Sequence, residues 1–385
     1  MPAASTARSD ALRALTIPQD LLPADGRFGS GPSRIRSEQM DALQSVSRTV
    51  LGTSHRQAPV KGQVARIRRG LAELFSLPEG YEVVLGNGGS TAFWDVAACG
   101  LVERRAQHLV MGEFSQKFAI ETTAAPHLED PEILSAAPGT ITEAVASEEV
   151  DVYAWPHNET STGVMVPVRR PSGAREDQLV LVDATSVAGA AAVDVSRTDA
   201  YYFAPQKAFA SDGGLWLSIL SPAAIERAER LATDEGRWIP SFLSLTAAID
   251  NSRKNQTLNT PAVATLVLLA EQIDWMLARG GLAWADERTR TTSGMLQDWA
   301  ARREEITPFV ADPAARSQVV TTLDVDESID ATAITAVLRA HGVVDIEPYR
   351  KLGRNQLRIA TFPAVGEDDT AALIAVLDHV LDRTA

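Results

Sequence analysis

Two residues in this chain have the type and setting to do covalent and proton chemistry together. Lys207 closes the run Tyr201-Tyr202-Phe203-Ala204-Pro205-Gln206-Lys207, and Asp183 follows Leu179-Val180-Leu181-Val182. Each run reads as an apolar strand, so the pattern predicts an amine and a carboxylate at the ends of two buried strands. A second apolar strand returns after Lys207 through Leu215-Trp216-Leu217. A lysine held between two buried strands is costly unless it is used. Such an amine can form a Schiff base with an aldehyde, and such a carboxylate can pair with a protonated pyridine nitrogen. Those are the two groups that pyridoxal phosphate requires. Taken singly, each residue also has a plainer reading, as a surface lysine and as a helix cap or loop carboxylate.

A third feature is Gly86-Asn87-Gly88-Gly89-Ser90-Thr91. An apolar strand ends, a glycine turn follows, and a helix starts at Ser90 or Thr91. Glycines let backbone N–H groups approach an anion, and a helix N-terminus favours negative charge. The two hydroxyls add donors, so the segment reads as a phosphate cradle. It lacks the Walker lysine and the dinucleotide spacing. The same residues would also make an ordinary glycine turn.

These groups need a scaffold. Short apolar runs at Glu82–Leu85, His108–Met111, Val152–Trp155, Leu179–Val182, Ala200–Phe203 and Leu215–Leu220 alternate with helical patterns. That alternation predicts an α/β fold built on a mostly parallel, doubly wound sheet. Ser37 is expected to cap a helix running to about Leu51. Thr260-Pro261 reads as the N-cap and first residue of a long helix. Beyond Gly281 the pattern gives a long helix, strands near Val319–Leu323, Val343–Ile346 and Gln356–Thr361, a helix near Ala331–His341 and a last helix from Glu367. The expected organisation is a tail and lead-in over residues 1–26, a large domain over 27–270, and a smaller α+β C-terminal domain over 271–385.

Composition narrows the class. The chain has 385 residues, 45% hydrophobic and 22% charged, enough apolar mass for a large core. Fifty acidic residues against 36 basic ones give a net charge of −14, which argues against nucleic acid as a bulk partner. A few arginines in a cleft can still bind a small anion. The one cysteine, Cys99, permits no disulfide within the chain and no cysteine zinc site; no metal is expected. It lies in Val96-Ala97-Ala98-Cys99 and reads as a small buried core residue. Met1–Asp10 is small and polar, without the apolar segment of a secretory leader, and reads as a disordered tail. No stretch is long and apolar enough to span a membrane. A cytoplasmic location is the simple expectation.

The order glycine cradle, Asp183, Lys207 resembles the fold type I superfamily of pyridoxal phosphate enzymes. Ser54-His55-Arg56, Pro156-His157-Asn158-Glu159-Thr160, Gln206-Lys207, Leu258-Asn259-Thr260-Pro261 and Tyr349-Arg350 through Arg358 are similar to the phosphoserine aminotransferase family in its actinobacterial form, within the class V aminotransferases. The resemblance covers nearly the whole chain after the tail. It implies a seven-stranded sheet, a homodimer with shared active sites, and transamination between 3-phosphohydroxypyruvate and L-glutamate in serine biosynthesis. The resemblance extends to relatives that accept a phosphorylated hydroxythreonine on the route to pyridoxine.

The resemblance also implies roles. Lys207 would carry the cofactor and shuttle a proton, and Asp183 would hold the ring nitrogen protonated. Ser90, Thr91 and Gln206 would bind the cofactor phosphate, Phe114 would stack on the ring, and Thr160 would meet the ring oxygen. Asn259 and Thr260 would reach the phosphate of the neighbouring subunit's cofactor. Arg358 would take the substrate α-carboxylate, and His55, Arg56 and Arg350 the distal anion. A planar guanidinium matches two oxygens at once, which suits both anions. Two departures stand out. Tyr349-Arg350 lies where some relatives have His-Arg, with Lys351 to Leu357 intervening before Arg358, and some relatives stack a tryptophan where Phe114 lies. The alternative is another class V enzyme, of the alanine–glyoxylate transaminase type, which needs no distal anion site.

Overall fold

The apolar runs become the middle of a seven-stranded sheet. The structure, a computed structural model, describes Ser9 and residues 12–383. Strands form over Glu82–Asn87 (β1), Ala106–Val110 (β2), Glu132–Ser135 (β3), Val152–Pro156 (β4), Asn158–Glu159 (β5), Val164–Met165 (β6), Leu179–Asp183 (β7), Ala200–Phe203 (β8) and Leu215–Leu220 (β9). The main sheet runs β1-β9-β8-β7-β4-β2-β3, while β5 and β6 pair with each other. The pairings from β8 through β7, β4 and β2 to β3 are parallel; β9 runs antiparallel to both its neighbours.

Helices Ser37–Ser45 (α1), Ala58–Leu74 (α2), Ser90–Gly100 (α3), Glu113–Ala124 (α4), Pro222–Ala232 (α5), Leu245–Arg253 (α6), Val263–Leu277 (α7) and Gly281–Ala300 (α8) surround this sheet and lead out of it. Successive strand residues point to opposite faces, and both faces are covered, so the central strands read as unbroken apolar runs. Val180, Val182, Tyr201 and Phe203 pack with Ile67 and Leu71 of α2 and Leu266 and Ile273 of α7. Leu179, Leu181, Ala200 and Tyr202 pack on the other face with Phe93 and Trp94 of α3 and Phe118 of α4. Full burial of a side chain such as Leu71 contributes about 1.5–3 kcal/mol.

A second core lies toward the C-terminus. Strands Ile306–Pro308 (β10), Val320–Val325 (β11) and Gln356–Ala360 (β12) form an antiparallel sheet, with helices Ala331–Ala340 (α9) and Glu367–Leu381 (α10). Leu323, Val325, Leu357 and Ile359 pack against Ile334, Leu338, Leu373 and Leu377. Leu12, Ile17 and Phe28, from the start of the chain, join this same cluster. Among the described residues no helix is long and apolar enough to cross a membrane.

Several expectations change. Apart from Ser9, Met1–Asp10 lies outside the described residues. Strand β3 went unread because its residues alternate between half-buried and exposed at the sheet edge, which leaves no apolar run. Val343–Ile346 forms no strand. Asp345 has φ +66, which breaks the extended run, and only Val344 bridges to Arg27. Helix α1 ends at Ser45, with turns beyond it, rather than near Leu51. Thr260 does not cap a helix: α7 begins at Val263, and the Thr260 hydroxyl lies 3.2 Å from His55 Nδ1. Cys99 is partly exposed rather than fully buried, and burial still raises its thiol pKa above the ordinary value.

Candidate active site

The parallel strands aim their carboxyl ends at one cavity, where open α/β sheets place ligands. It has a volume of about 350 Å³. Ser90, Thr91, Phe114, Thr160, Asp183, Gln206 and Lys207 all line it. A larger cleft of about 490 Å³ lies beneath residues 143–146 and 166–172. Its rim carries the Glu143–Arg169 ion pair, but none of the chemistry-bearing groups.

Lys207 lies four residues beyond β8, 9% exposed, and its ammonium donates to the carbonyl of Ser30. Gly31, at φ +133, lies against it. A Cβ there would come 2.4 Å from Lys207 Cε, so only glycine lets this backbone close over the amine. The Phe114 ring centroid lies 5.9 Å from Nζ. Burial pulls the lysine pKa down to about 8, and Arg358 adds to the fall, while Asp183 and Glu159 oppose it.

That value fixes a pH dependence. In the cofactor-free protein, the neutral amine is the minority form below about pH 8. Its rate of reaction with an aldehyde is expected to rise about tenfold per pH unit up to that point and then level off. An ordinary lysine would keep gaining to about pH 10.4. Rates measured across this range, read at Lys207 by mass spectrometry, distinguish the two.

Asp183 ends β7 with both oxygens engaged. Oδ1 accepts from Thr185 N at 2.9 Å and Thr185 Oγ1 at 2.5 Å, and Oδ2 accepts from Trp94 Nε1 at 3.1 Å. Its carboxylate opens onto the cavity but not onto bulk water. Burial raises its pKa, against the pull of those donors. Ser90, at the start of α3, lies 2.5 Å from Thr185 through their hydroxyls. In front of it Gly89 has open space where a side chain would be. Gln206 Oε1 and Asn158 Oδ1 are buried without a hydrogen-bond partner.

Arg358 reaches the same region from β12. Its NH1 donates to the Thr160 carbonyl at 3.2 Å, while Nε is buried and unpartnered. Burial lowers its pKa. Tyr349 lies beside it, with the guanidinium 5.2 Å from the ring centroid, and the Tyr349 ring lies 6.0 Å from that of Phe114. Arg350 is exposed on the short turn Arg350–Leu352.

The structure does not bring the remaining residues to this cavity within one chain. Arg56 donates to Gln256 Oε1 and to the Leu258 carbonyl, each at 3.3 Å. His55 meets Thr260, and Asn87 donates to Asn259 and to the Thr260 carbonyl at 3.3 Å. His55, Arg56, Asn259 and Thr260 thus form a separate cluster, tied to the cradle through Asn87. Burial lowers the His55 pKa, and Arg56 adds to the fall. His55 Nε2 is buried without a partner.

The sequence reading passed over Trp94, Thr185, Ser30 and Glu159. Two of these had a signal. Thr185 stands two residues after Asp183, the spacing of an aspartate accepting from its own backbone. Trp94 lies four residues after Ser90, on the same helix face. Ser30 lies 177 positions from Lys207, and no local pattern announces it. Among the described residues, no three or more His, Cys, Asp or Glu come together as a metal-ligating group.

Comparison with known proteins places the chain in a family. The family model for class-V aminotransferases matches residues 28–345, a span that stops short of Tyr349, Arg350 and Arg358. A phosphoserine aminotransferase of a Nocardioides species is 60% identical over 371 residues, covering 96% of this chain and 99% of its own. The phosphoserine aminotransferase of Rhodococcus opacus is 58% identical over 367 residues, covering 95% and 98%. Among solved structures, a phosphoserine aminotransferase from Cytophaga hutchinsonii superimposes with a TM-score of 0.85 at 23% identity, covering 92% of this chain and 98% of that one, a likeness of fold. The chain therefore belongs to the class-V aminotransferases, and among them to the phosphoserine aminotransferases.

Proposed function

We propose that the protein moves an amino group from L-glutamate to 3-phosphohydroxypyruvate, giving O-phospho-L-serine and 2-oxoglutarate, with pyridoxal phosphate held in the Lys207 cavity. The observation that carries this reading is a buried Lys207 just beyond β8 and Asp183 at the end of β7, both lining one cavity, in a chain 60% identical to a phosphoserine aminotransferase.

The residues present fit that cofactor. An amine with a depressed pKa suits its aldehyde, and a buried carboxylate suits its ring nitrogen. The open space before Ser90 at the start of α3 suits its phosphate. The Gln206 amide, whose oxygen is buried without a partner, can turn its N–H₂ to donate to a phosphate. When bound, pyridoxal phosphate supplies an aldehyde to carry the amino group and a ring to accept electrons from the substrate α-carbon.

The chain's own groups do the rest. Lys207 would move the proton at the substrate α-carbon, as a general base and then a general acid. Asp183 holds a proton at the ring nitrogen, and Trp94 and Thr185 hold Asp183. Phe114 would cover one ring face, Thr160 would meet the ring oxygen, and Ser90, Thr91 and Gln206 would hold the phosphate. Arg358, with its free Nε, clamps the α-carboxylate.

The second cluster fits a homodimer whose two sites are shared. In it Asn259 and Thr260 of one subunit reach the other subunit's cofactor phosphate, and His55 and Arg56 reach the distal anion that Arg350 also faces. One distal pocket then serves both half-reactions, binding the glutamate carboxylate and the phosphate in turn. Arg56→Ala is expected to raise KM for glutamate and for O-phosphoserine about 10–100-fold each, the loss of a charge-assisted hydrogen bond. Unchanged KM values contradict the clamp. Mixing the Arg56→Ala and Lys207→Ala proteins under subunit exchange should recover part of the activity, because one site of each hybrid carries neither change. No recovery contradicts shared sites. The reaction itself is tested by turnover of O-phosphoserine with 2-oxoglutarate against alanine with glyoxylate. Faster turnover of the second pair would move the assignment to the alanine–glyoxylate type.

A further inference from the structure

Glu159 is fully buried, yet it forms no ion pair among the described residues. A lone buried carboxylate is costly unless donors surround it. Here five do. Oε1 accepts from Phe114 N at 3.3 Å, Ser161 N at 3.2 Å and Ser161 Oγ at 2.6 Å. Oε2 accepts from Ser115 N at 2.9 Å and Ser115 Oγ at 2.8 Å. Two of these donors are backbone N–H groups in the first turn of α4, where a negative charge is favoured.

This contact joins two parts of the site. Phe114 is the second residue of α4 and presents its ring to Lys207. Thr160 is the next residue after Glu159, and its carbonyl receives Arg358. The approach is close enough to exclude any side chain at Gly112. A Cβ there would lie 2.4 Å from Ser161 Oγ and 2.7 Å from Glu159 Cγ. Glu113 N also donates to Ser161 Oγ at 3.0 Å, which fastens the same joint.

The geometry points to Glu159 as a positioning residue: it docks the start of α4 onto β5 and the turn after it, setting the Phe114 ring and the Arg358 guanidinium on one frame around Lys207. The inference deepens the pyridoxal phosphate reading and rests on it. Glu159 also places a fixed negative charge near the Lys207 amine, against that of Arg358, and raises the lysine pKa. A purely mechanical joint would not carry that second effect.

Glu159→Gln keeps the shape, removes the charge, and turns an amide N–H₂ toward groups that donate. The affinity of the cofactor-free protein for pyridoxal phosphate is expected to fall about 10–100-fold. Independently, the pH midpoint for modification of Lys207 by a small aldehyde, read by mass spectrometry without cofactor, is expected to move below about 8. Phe114→Ala should weaken cofactor binding and, by opening the amine to water, move that midpoint up rather than down. If Glu159→Gln fails to fold, Ser115→Ala with Ser161→Ala keeps the charge but loses the hydroxyl donors; it should weaken cofactor binding and leave the midpoint in place. An unmoved midpoint in Glu159→Gln, or an affinity within about threefold of the parent in either variant, overturns the inference. Failure of the parent protein to bind pyridoxal phosphate would overturn the functional reading instead, and the lysine midpoint would still judge the placement of Glu159.

Discussion

Lys207→Ala is expected to lower turnover by about 10⁴-fold or more, at the upper end of what a single acid–base group supplies. The cofactor would lose its covalent tether and be held through its phosphate and ring contacts alone. The same change should not weaken the cofactor-free fold. At 9% exposed, the amine has a pKa pulled from 10.5 to about 8, so carrying its proton at pH 7 costs the folded state about 3 kcal/mol. A folded pKa below the unfolded one means that this penalty is full below about pH 8 and fades as pH rises toward 10.5. Alanine removes the penalty along with some stem packing. The cofactor-free variant should therefore melt no lower than the parent at pH 7. A small primary amine in solution should restore part of the rate, since the substitution leaves space between Gly31 and Phe114. Near-parental turnover would refute the role of Lys207, and a melting temperature several degrees lower would refute the account of a strained amine.

Asp183→Asn is expected to lower kcat about 10²–10³-fold, the usual loss when a preorganised charge facing the reacting group is removed. Asparagine fits the space and can still accept from Thr185, but its N–H₂ would face Trp94 Nε1, leaving two donors opposed. Asp183 also raises the Lys207 pKa, so its loss should carry the lysine midpoint below about 8. The two readouts separate the roles. A fall in kcat with an unmoved lysine midpoint would mean that Asp183 is not near the amine in solution. An unchanged kcat would mean that no developing charge is met there.

Much of the catalytic centre was legible because burial on both faces writes itself into the sequence. Leu179–Val182 and Tyr201–Phe203 have no polar alternation, and the charged residues that follow them had to sit at strand ends. Residues placed by distant packing were not legible. Ser30 reaches Lys207 because Phe28 is anchored in the C-terminal core while Ser33 N bonds the Gln206 carbonyl at 2.7 Å. Edge strand β3 gave no signal because half of its surface faces water. The Thr-Pro cap signal at 260–261 gave way to tertiary contacts, since the Thr260 hydroxyl turns to His55 instead. The same contact gathers His55 and Arg56 with Asn259 and Thr260, a grouping that spacing along the chain does not suggest.

The most direct test is the visible absorption of the purified protein loaded with pyridoxal phosphate, followed as O-phosphoserine is added, with alanine and serine in parallel. Bleaching by O-phosphoserine, with alanine and serine inert at the same concentration, is the predicted result. It would show the cofactor, the first half-reaction and the distal anion pocket together. Equal bleaching by alanine would contradict the distal pocket, and a protein that stays colourless with added pyridoxal phosphate would contradict the assignment of Lys207 and Asp183.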